Sequence, residues 1–177
     1  MRKFLLLFLL LPGIAVAAPS EEDKLFAQLQ SADTPEAAHP IEEKLSGLFK
    51  VSNSPSVDLL MTRAQAALTG DDKDTARKLV DAVTAVAPNF AEGWRVRGHM
   101  QAAAGDDSGA MVSLQKAVTL NPREFEALTD LADMLEQYGD KPGALKLYRQ
   151  AVALDPQLSA AARRVKALGK EVEGQGI

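Results

Sequence analysis

The residue types that carry most enzyme chemistry are scarce in this chain. Its 177 residues include no cysteine and two histidines, His39 and His99. A chain without cysteine has no thiol nucleophile and no disulfide, and neither histidine stands in an HExxH or other metal-ligand spacing. Asp and Glu are frequent, but no pair stands out from the background of a solvated helical surface. We therefore expect a protein with no catalytic activity, no cofactor and no bound metal.

The first 17 residues have the features of a cleavable signal peptide. A cationic start precedes a continuous apolar run from Phe4 to Leu11, which Pro12-Gly13 break. Ala15-Val16-Ala17 has the small-x-small pattern of a signal-peptidase site, so we expect cleavage after Ala17 and export to the periplasm. An uncleaved membrane anchor is the alternative, but the apolar run is shorter than the about 20 residues that span a bilayer.

The mature chain is acidic and its composition favours helices. The full chain has 20 basic and 24 acidic residues, and cleavage removes two of the basic ones, Arg2 and Lys3. This balance argues against nucleic acid and anionic lipid as partners, and we expect no stable membrane insertion after cleavage. Alanine and leucine dominate, while runs of Val, Ile and Thr typical of strands are missing, which indicates an all-α fold.

A fixed period organises the chain after the signal peptide. Pro88, Pro122 and Pro156 stand 34 residues apart, twice over. With each proline at position 32, the units are 57–90, 91–124 and 125–158. A period of this length indicates stacked helix pairs, in which each pair needs its neighbours to bury its apolar face.

Small and large residues recur at fixed positions within these units. Positions 8, 20 and 27 are mostly small, positions 4 and 24 are large, and position 32 is proline. The residues that define the repeat are Ala64, Ala76 and Pro88 in unit one, Trp94, Gly98, Ala110, Ala117 and Pro122 in unit two, and Ala132, Ala144, Tyr148, Ala151 and Pro156 in unit three. This pattern resembles the tetratricopeptide repeat (TPR) family, with unit one degenerate at Ala67 and Val83. The resemblance implies an all-α helix-turn-helix solenoid, a right-handed superhelix that binds proteins.

Several local features follow from the same spacing. Gly98 and Ala110 should let two helix backbones approach closely, while Trp94 and Tyr148 fill the core rather than stack on a ligand. The Gly-Asp pairs should mark the turns within the units. The prolines suit the first turn of the next helix, and the segment 121–124 fits a capping box. The gap from Gly70 to Ala76 is one residue longer than its counterparts, so we expect an altered turn in unit one.

The two ends of the array are predicted from weaker patterns. Residues 18–56 should form a degenerate helix pair and a linker, with the pair capping the N-terminal end of unit one. Residues 159–173 should form a C-terminal capping helix, whose alternative role is contact with a membrane surface. Residues 174–177 are expected to be a disordered tail.

The resemblance also implies where a partner would bind. In TPR proteins the first helix of each unit lines a concave groove. Its candidate residues here are Met61, Gln65, Glu92, Arg95, His99, Glu126, Asp130, Asp133, Glu136 and Gln137. The groove is acidic near unit three, which predicts a partner segment carrying cationic residues. The alternative is that these are ordinary solvated charges, and His99 is either a pH-sensitive contact or a solvated side chain. The lysines and asparagines with which some family members bind chaperone C-termini are missing.

These observations favour a non-enzymatic adaptor or scaffold in the periplasm or cell envelope, whose partner protein the sequence does not identify. A structural subunit of an envelope, outer-membrane or secretion assembly is the alternative, and large apolar patches on the convex side would favour it. A third reading is an accessory hydrolase or transferase, which a metal or cofactor in the purified protein would support.

Overall fold

The computed structural model describes residues 18–174, so the predicted signal peptide and most of the predicted tail lie outside the described range. Within residues 18–174 the chain forms helices without a strand, which confirms the all-α prediction. The helices are α1 (Glu21–Gln30), α2 (Pro35–Phe49), α3 (Pro55–Thr69), α4 (Lys73–Val86), α5 (Ala91–Ala103), α6 (Asp107–Leu120), α7 (Phe125–Gln137), α8 (Lys141–Leu154) and α9 (Ser159–Val172). None of these nine helices is both long and apolar enough to cross a bilayer.

Helices α3 to α8 form three helix-turn-helix pairs that stack in order. The tightest packing joins α3 with α4, α5 with α6 and α7 with α8, while α4 contacts α5 and α6 contacts α7. The first helices of units two and three begin at Ala91 and Phe125, the residues where the 34-residue period places the unit starts. Helix α9 packs on α8, as a helix that closes the array must.

Small residues set the distance between the two helices of a pair. A Cβ atom at Gly98 would lie 2.8 Å from the Leu114 Cγ and 3.3 Å from the Ala110 carbonyl oxygen. Both Ala110 and Ala144 are completely buried. A larger side chain at Gly98 would therefore push α5 and α6 apart.

The turn within each unit is the same in all three units, so the altered turn predicted for unit one is wrong. The left-handed residue is Gly105 in unit two and Gly139 in unit three, and in unit one it is Asp71, with φ of 57°. The next N–H bonds back to a first-helix carbonyl at 2.8 Å in unit one, from Asp72 to Ala67, and at 2.9 Å and 2.8 Å in units two and three. In unit one the glycine, Gly70, stands one residue earlier than Gly105 and Gly139 do in their units. Asp71 therefore occupies the left-handed position, a conformation that aspartate tolerates better than most residues.

The second helix of each pair begins with the same cap. Asp72, Asp106 and Asp140 are the N-cap residues of α4, α6 and α8, and each side chain accepts a hydrogen bond from a backbone N–H three residues later. A carboxylate at the N-cap accepts a hydrogen bond from an N–H that has no partner within the helix, and its negative charge is attracted to the positive end of the helix dipole.

The prolines lie in the turns between units rather than in the first turn of the next helix. The N–H of Phe90 donates to the carbonyl of Ala87 at 3.0 Å, which encloses Pro88 in a four-residue turn, and equivalent turns enclose Pro122 and Pro156. Proline suits the second position of such a turn because its φ is already near the required value. The predicted capping box is also wrong, since Asn121 accepts from the N–H of Arg123 at 3.1 Å instead.

The α1–α2 pair, which we call the N-terminal hairpin, lies on units two and three instead of capping unit one. The Gln30 Nε2 donates to the carbonyls of Ala153 at 2.6 Å and Leu154 at 2.8 Å. In return, the Gln157 Nε2 donates to the carbonyl of Ala32 at 2.8 Å. The hairpin, which precedes unit one in the sequence, therefore packs on the two units that follow unit one.

Aromatic and apolar contacts explain why the hairpin docks there. The Phe49 ring lies 6.4 Å from the rings of both Phe26 and Phe125, with Phe125 in an edge-on arrangement. Leu29 and Leu45 are fully buried in the core that includes units two and three. Aromatic rings add an edge-on attraction to the free energy that comes from burying apolar area.

Candidate partner-binding groove

The first helices of the units carry the predicted groove residues, and the structure gathers several of them around one guanidinium group. The Arg95 Nε lies 2.6 Å from a Glu92 oxygen and 3.1 Å from Glu124, and its Nη atoms lie 3.3 Å from Glu126 and 3.2 Å from Asp130. The Arg95 side chain is only 15% exposed. This charge cluster, defined as Arg95 and its four carboxylate partners, joins α5 to the start of α7.

Glu124 is the member of the charge cluster that sequence reasoning missed. It is 1% exposed, and its Oε2 has no hydrogen-bond partner in the described chain. Burial raises the pKa of Glu124 to about 8, and the nearby Glu92 carboxylate contributes to the increase. The sequence marks this residue only as the last residue of the predicted capping box 121–124 and not as part of the groove, because its burial depends on how unit two meets unit three.

His99 extends the charge cluster toward solvent. Its Nε2 lies 2.7 Å from the Asp130 carboxylate, and its side chain is half exposed. The hydrogen bond to Asp130 raises the pKa of His99 above its usual value, although burial acts in the opposite direction. This histidine is therefore a contact within the groove rather than an isolated solvated side chain, and protonation strengthens its bond to Asp130.

The remaining acidic residues of unit three also have partners within the chain. Asp133 accepts a hydrogen bond from the Tyr148 hydroxyl. Glu136 accepts from the same hydroxyl at 3.2 Å and from the Arg164 Nε of α9 at 2.8 Å. The carboxylates at this end of the groove still outnumber the guanidinium groups that face them, so the negative bias persists in reduced form.

The N-terminal hairpin covers the start of the unit-three groove. The Ser46 hydroxyl on α2 donates to the Glu126 carboxylate at 2.9 Å. Beyond this bond, a cavity of about 600 Å³ separates α2 from α7, α8 and α9. The residues lining it include His39 and Glu42 from α2, Thr129 and Asp133 from α7, and Arg164 from α9. The chain's own helix thus occupies part of the surface that the repeat pattern assigns to a partner.

The other candidate residues lie farther along the same helices. Gln65 on α3 and Gln137 on α7 are exposed, and Met61 is partly buried. Within residues 18–174, no group of three or more Asp, Glu or His side chains has the arrangement needed to hold a metal ion.

The two aromatic residues of the repeat pattern belong to the core. Tyr148 is 2% exposed. Trp94 packs against the main core, and its Nε1 donates to the Pro88 carbonyl at 3.0 Å while Arg97 stacks on its ring. Neither ring is free to stack on a ligand.

Comparison with protein families identifies the class of protein. A model described as "Tetratricopeptide repeat" matches residues 61–119 and 112–159. Because these matches cover more than half of the chain, it belongs to the tetratricopeptide repeat family, whose fold is typical of adaptors in protein–protein interaction. A TPR repeat-containing protein of Rhizobium etli is 26% identical over 161 residues, which cover 90% of this chain and 79% of the relative. Cellulose synthase operon protein C of Escherichia coli is 40% identical over 67 residues, which cover 36% of this chain and 6% of that protein.

Solved structures share the fold at low sequence identity. The MamA protein superposes with a TM-score of 0.60 at 14% identity, covering 86% of this chain and 81% of its own. The type III secretion chaperone SycD of Yersinia enterocolitica, solved with a peptide of the translocator YopD, gives a TM-score of 0.59 at 16% identity and covers 67% of this chain and 95% of its own. At these identities the likeness shows the TPR fold alone.

Proposed function

We propose that this protein is an exported, non-catalytic adaptor that binds a segment of another protein in the concave groove. The observation that carries the proposal is the row of polar side chains on the first helices, which includes Gln65, His99 and Gln137. Two TPR structures with the same fold were solved with bound peptides, one from HSP90 and one from YopD. Those peptides belong to those proteins, and they support a groove-binding role here by analogy of fold.

The partner segment carries cationic side chains that contact the groove near unit three. Asp130 bonds to the half-exposed His99, Asp133 lies one helical turn farther along α7, and their present partners leave an excess of negative charge. A lysine or arginine of the partner would find a carboxylate in a partly buried setting, where an ion pair is screened less than at an open surface.

Site-specific photocrosslinking in intact cells tests the groove. A photoreactive amino acid at Gln65 faces the groove, while one at Lys116, an exposed residue on the second helix of unit two, serves as the control. We expect a crosslinked product from position 65 that is absent from position 116. A product from position 116 alone would contradict groove binding.

Asp133→Asn tests the charge of the partner. The asparagine oxygen still accepts from Tyr148, so the variant removes charge with little change of structure. We expect about threefold to tenfold less crosslinked product from position 65, and a weaker dependence on salt. Asp74→Asn, the same change at an exposed site on α4, is the matched control and should have no effect.

Export is the second part of the proposal. The cationic start, the short apolar run and the Ala15-Val16-Ala17 pattern support it. Cell fractionation followed by N-terminal sequencing should find the protein in the periplasm with Ala18 as its first residue. A cytoplasmic product that begins at Met1 would overturn this part without affecting groove binding.

The uncovered side of α3 favours one alternative, a structural subunit of an envelope, outer-membrane or secretion assembly. Leu59 on that side is 51% exposed, and Val51 and Val86 near the same end are 53% and 65% exposed. Ala66 is next to Gln65 and is also exposed. A photocrosslinked product from Ala66 that is missing from Gln65 would favour the assembly subunit over the groove adaptor.

A further inference from the structure

A cleft separates helix α2 from unit three. Helix α2 packs more closely on α1 than on α7, and two cavities, of about 600 Å³ and 510 Å³, lie between α2 and unit three. The two cavities share four lining residues, which are His39 and Glu42 of α2, Thr129 of α7, and Leu158. They therefore form one continuous space, which we call the α2–α7 cleft. Residues 35–50 of α2 line it over about 22 Å, the length of about six extended residues.

The N-terminal hairpin is a fixed wall of this cleft. Phe26 and Leu29 of α1 and Leu45 of α2 are buried in the main core. The Phe49 ring at the end of α2 lies 6.4 Å from the Phe125 ring of α7. Because these contacts hold α2 in place, both walls are positioned before a partner arrives, and binding between them costs less conformational entropy than ordering a mobile segment would.

Both walls of the α2–α7 cleft are acidic. The carboxylates that line it are Glu36, Glu42 and Glu43 on α2, and Glu126 and Asp133 on α7. The basic side chains that line it are Lys50, an exposed residue after α2, and Arg164 of α9, which already bonds to Glu136 at 2.8 Å. The cleft therefore has an excess of negative charge that comes from two separate elements of the fold.

The α2 carboxylates have little compensation within the described chain. The His39 Nδ1 lies 3.7 Å from Glu42, and its Nε2 lies 3.5 Å from Glu43. One histidine thus faces two carboxylates. Apolar surface in the same cleft comes from Phe125 and Leu158. Acidic groups beside apolar surface suit lysine and arginine, whose aliphatic stems pack on the apolar part while their charged ends reach the carboxylates.

We infer that the α2–α7 cleft binds an extended partner segment that carries at least two lysine or arginine side chains, with α2 as the second wall of the binding site. The inference rests on the proposed function, which places a cationic segment in the groove near unit three, and it adds the hairpin to that site. One basic side chain enters each cavity. Its charged end lies between a carboxylate of α2 and a carboxylate of α7.

Fluorescence anisotropy with the purified protein tests the charge of the segment. The probe is a fluorescein-labelled hexapeptide of alternating arginine and alanine, and the matched control peptide has glutamine in place of each arginine. At low salt we expect the arginine peptide to bind at least about tenfold more tightly, with an affinity that falls as salt is added. Equal affinity for the two peptides would overturn the inference.

Variants of equal net charge test whether α2 is a wall of the site. The double variant Glu36→Gln with Glu42→Gln removes two carboxylates from the cleft and should weaken binding of the arginine peptide by about threefold to tenfold. The control, Asp71→Asn with Asp74→Asn, removes two carboxylates that are each 84% exposed and lie outside the cleft. It should change the affinity by less than about twofold.

Asp133→Asn separates this inference from the proposed function. The variant should also weaken binding, because Asp133 lines the α7 wall. If Asp133→Asn weakened binding and the α2 double variant did not, the groove would bind the peptide without α2, which would overturn the inference and leave the proposed function standing. If neither variant weakened binding, both would be contradicted.

Photocrosslinking to the same arginine peptide locates it in the cleft. Gly47 of α2 lines the second cavity, and a Cβ atom added there would meet no atom within 4 Å, so a photoreactive amino acid fits at this position. Lys44, an exposed residue of α2 that lines neither cavity, is the control position. We expect a crosslinked product from position 47 and none from position 44. A product from position 44 alone, or from Gln65 of the solenoid groove without one from position 47, would overturn the inference.

Discussion

Units one and three have the same helix-turn-helix architecture but very different surroundings. Leu131 of unit three is 1% exposed, whereas Arg63, the residue at the same position two units earlier, is exposed. The residues at position 3 of the two units differ in the same way: Ala127 of unit three is fully buried, and Leu59 of unit one is 51% exposed. Unit three packs against α6, α9 and the N-terminal hairpin, while within residues 18–174 the outer side of α3 has no such cover. The difference shows that the neighbours of a unit, rather than its own pattern, set how much of its apolar surface is buried.

The largest expected effect compares equivalent core positions in these two units. Leu128→Ala removes a side chain that is 1% exposed in unit three, and should lower the free energy of unfolding by about 2–5 kcal/mol. Leu60→Ala removes its partly buried counterpart in unit one and should cost about 1 kcal/mol, because less apolar area is lost. Urea unfolding measures both. Equal losses would contradict the proposed difference in packing between the units.

The junction of units two and three should give the chain a pH dependence that the other junction lacks. Glu124 has a pKa raised to about 8 by burial, so its stabilising effect is present below about pH 4.5 and lost as the pH rises toward 8. Glu124→Gln stays neutral throughout. Its free energy of unfolding relative to wild type should therefore rise between about pH 5 and 8, by roughly 1 kcal/mol per pH unit.

Unfolding curves of the wild type and Glu124→Gln at matched pH values measure this difference. Phe90 is the residue at the same position of unit one, so the first junction offers no titrating counterpart. If the difference between the two proteins were constant with pH, the buried carboxyl would not be neutral in the folded state.

The turns offer a smaller comparison between units one and two. Asp71 adopts a positive φ that costs an ordinary residue about 1 kcal/mol, whereas Gly105 adopts it freely. Asp71→Gly should therefore raise the free energy of unfolding by up to about 1 kcal/mol, and Gly105→Ala should lower it by about the same amount. Thermal unfolding of the two variants measures this. The same sign for both would show that the two turns are not equivalent.

The smallest expected effect is at the uncovered side of α3. Leu59→Ser should change the free energy of unfolding by less than about 0.5 kcal/mol, because the side chain is already half exposed. Urea unfolding at low protein concentration measures it. A large loss of stability would mean that another surface covers Leu59, which would favour the assembly subunit over the adaptor.

The repeated part of the fold could be predicted because its information is local and periodic. The helix pairs, the close approach at Gly98 and the buried Tyr148 all follow from residue size at fixed spacing. Three local predictions were wrong for reasons of backbone geometry. The prolines occupy turns that precede the helices, and Asp71 adopts the conformation expected of Gly70. Asn121 accepts from the N–H of Arg123 within such a turn, so the capping box does not form.

The position of the N-terminal hairpin and the charge cluster could not be predicted because they depend on contacts between distant segments. Counting the period backward places the hairpin beside α3, but the burial of Phe49 against Phe125 places it on unit three. In the same way, the sequence shows an acidic groove but not that Arg95 and Arg164 already pair with its carboxylates. The roles of these groove residues in binding stay predictions.

The position of the hairpin is the central claim, and nuclear Overhauser contacts in solution test it most directly. The Phe49 ring lies 6.4 Å from both Phe26 and Phe125. We predict contacts between the ring protons of Phe49 and Phe125. Contacts from α2 to the Leu59 side chain of α3, with none to Phe125, would show that the hairpin caps unit one and would contradict this account.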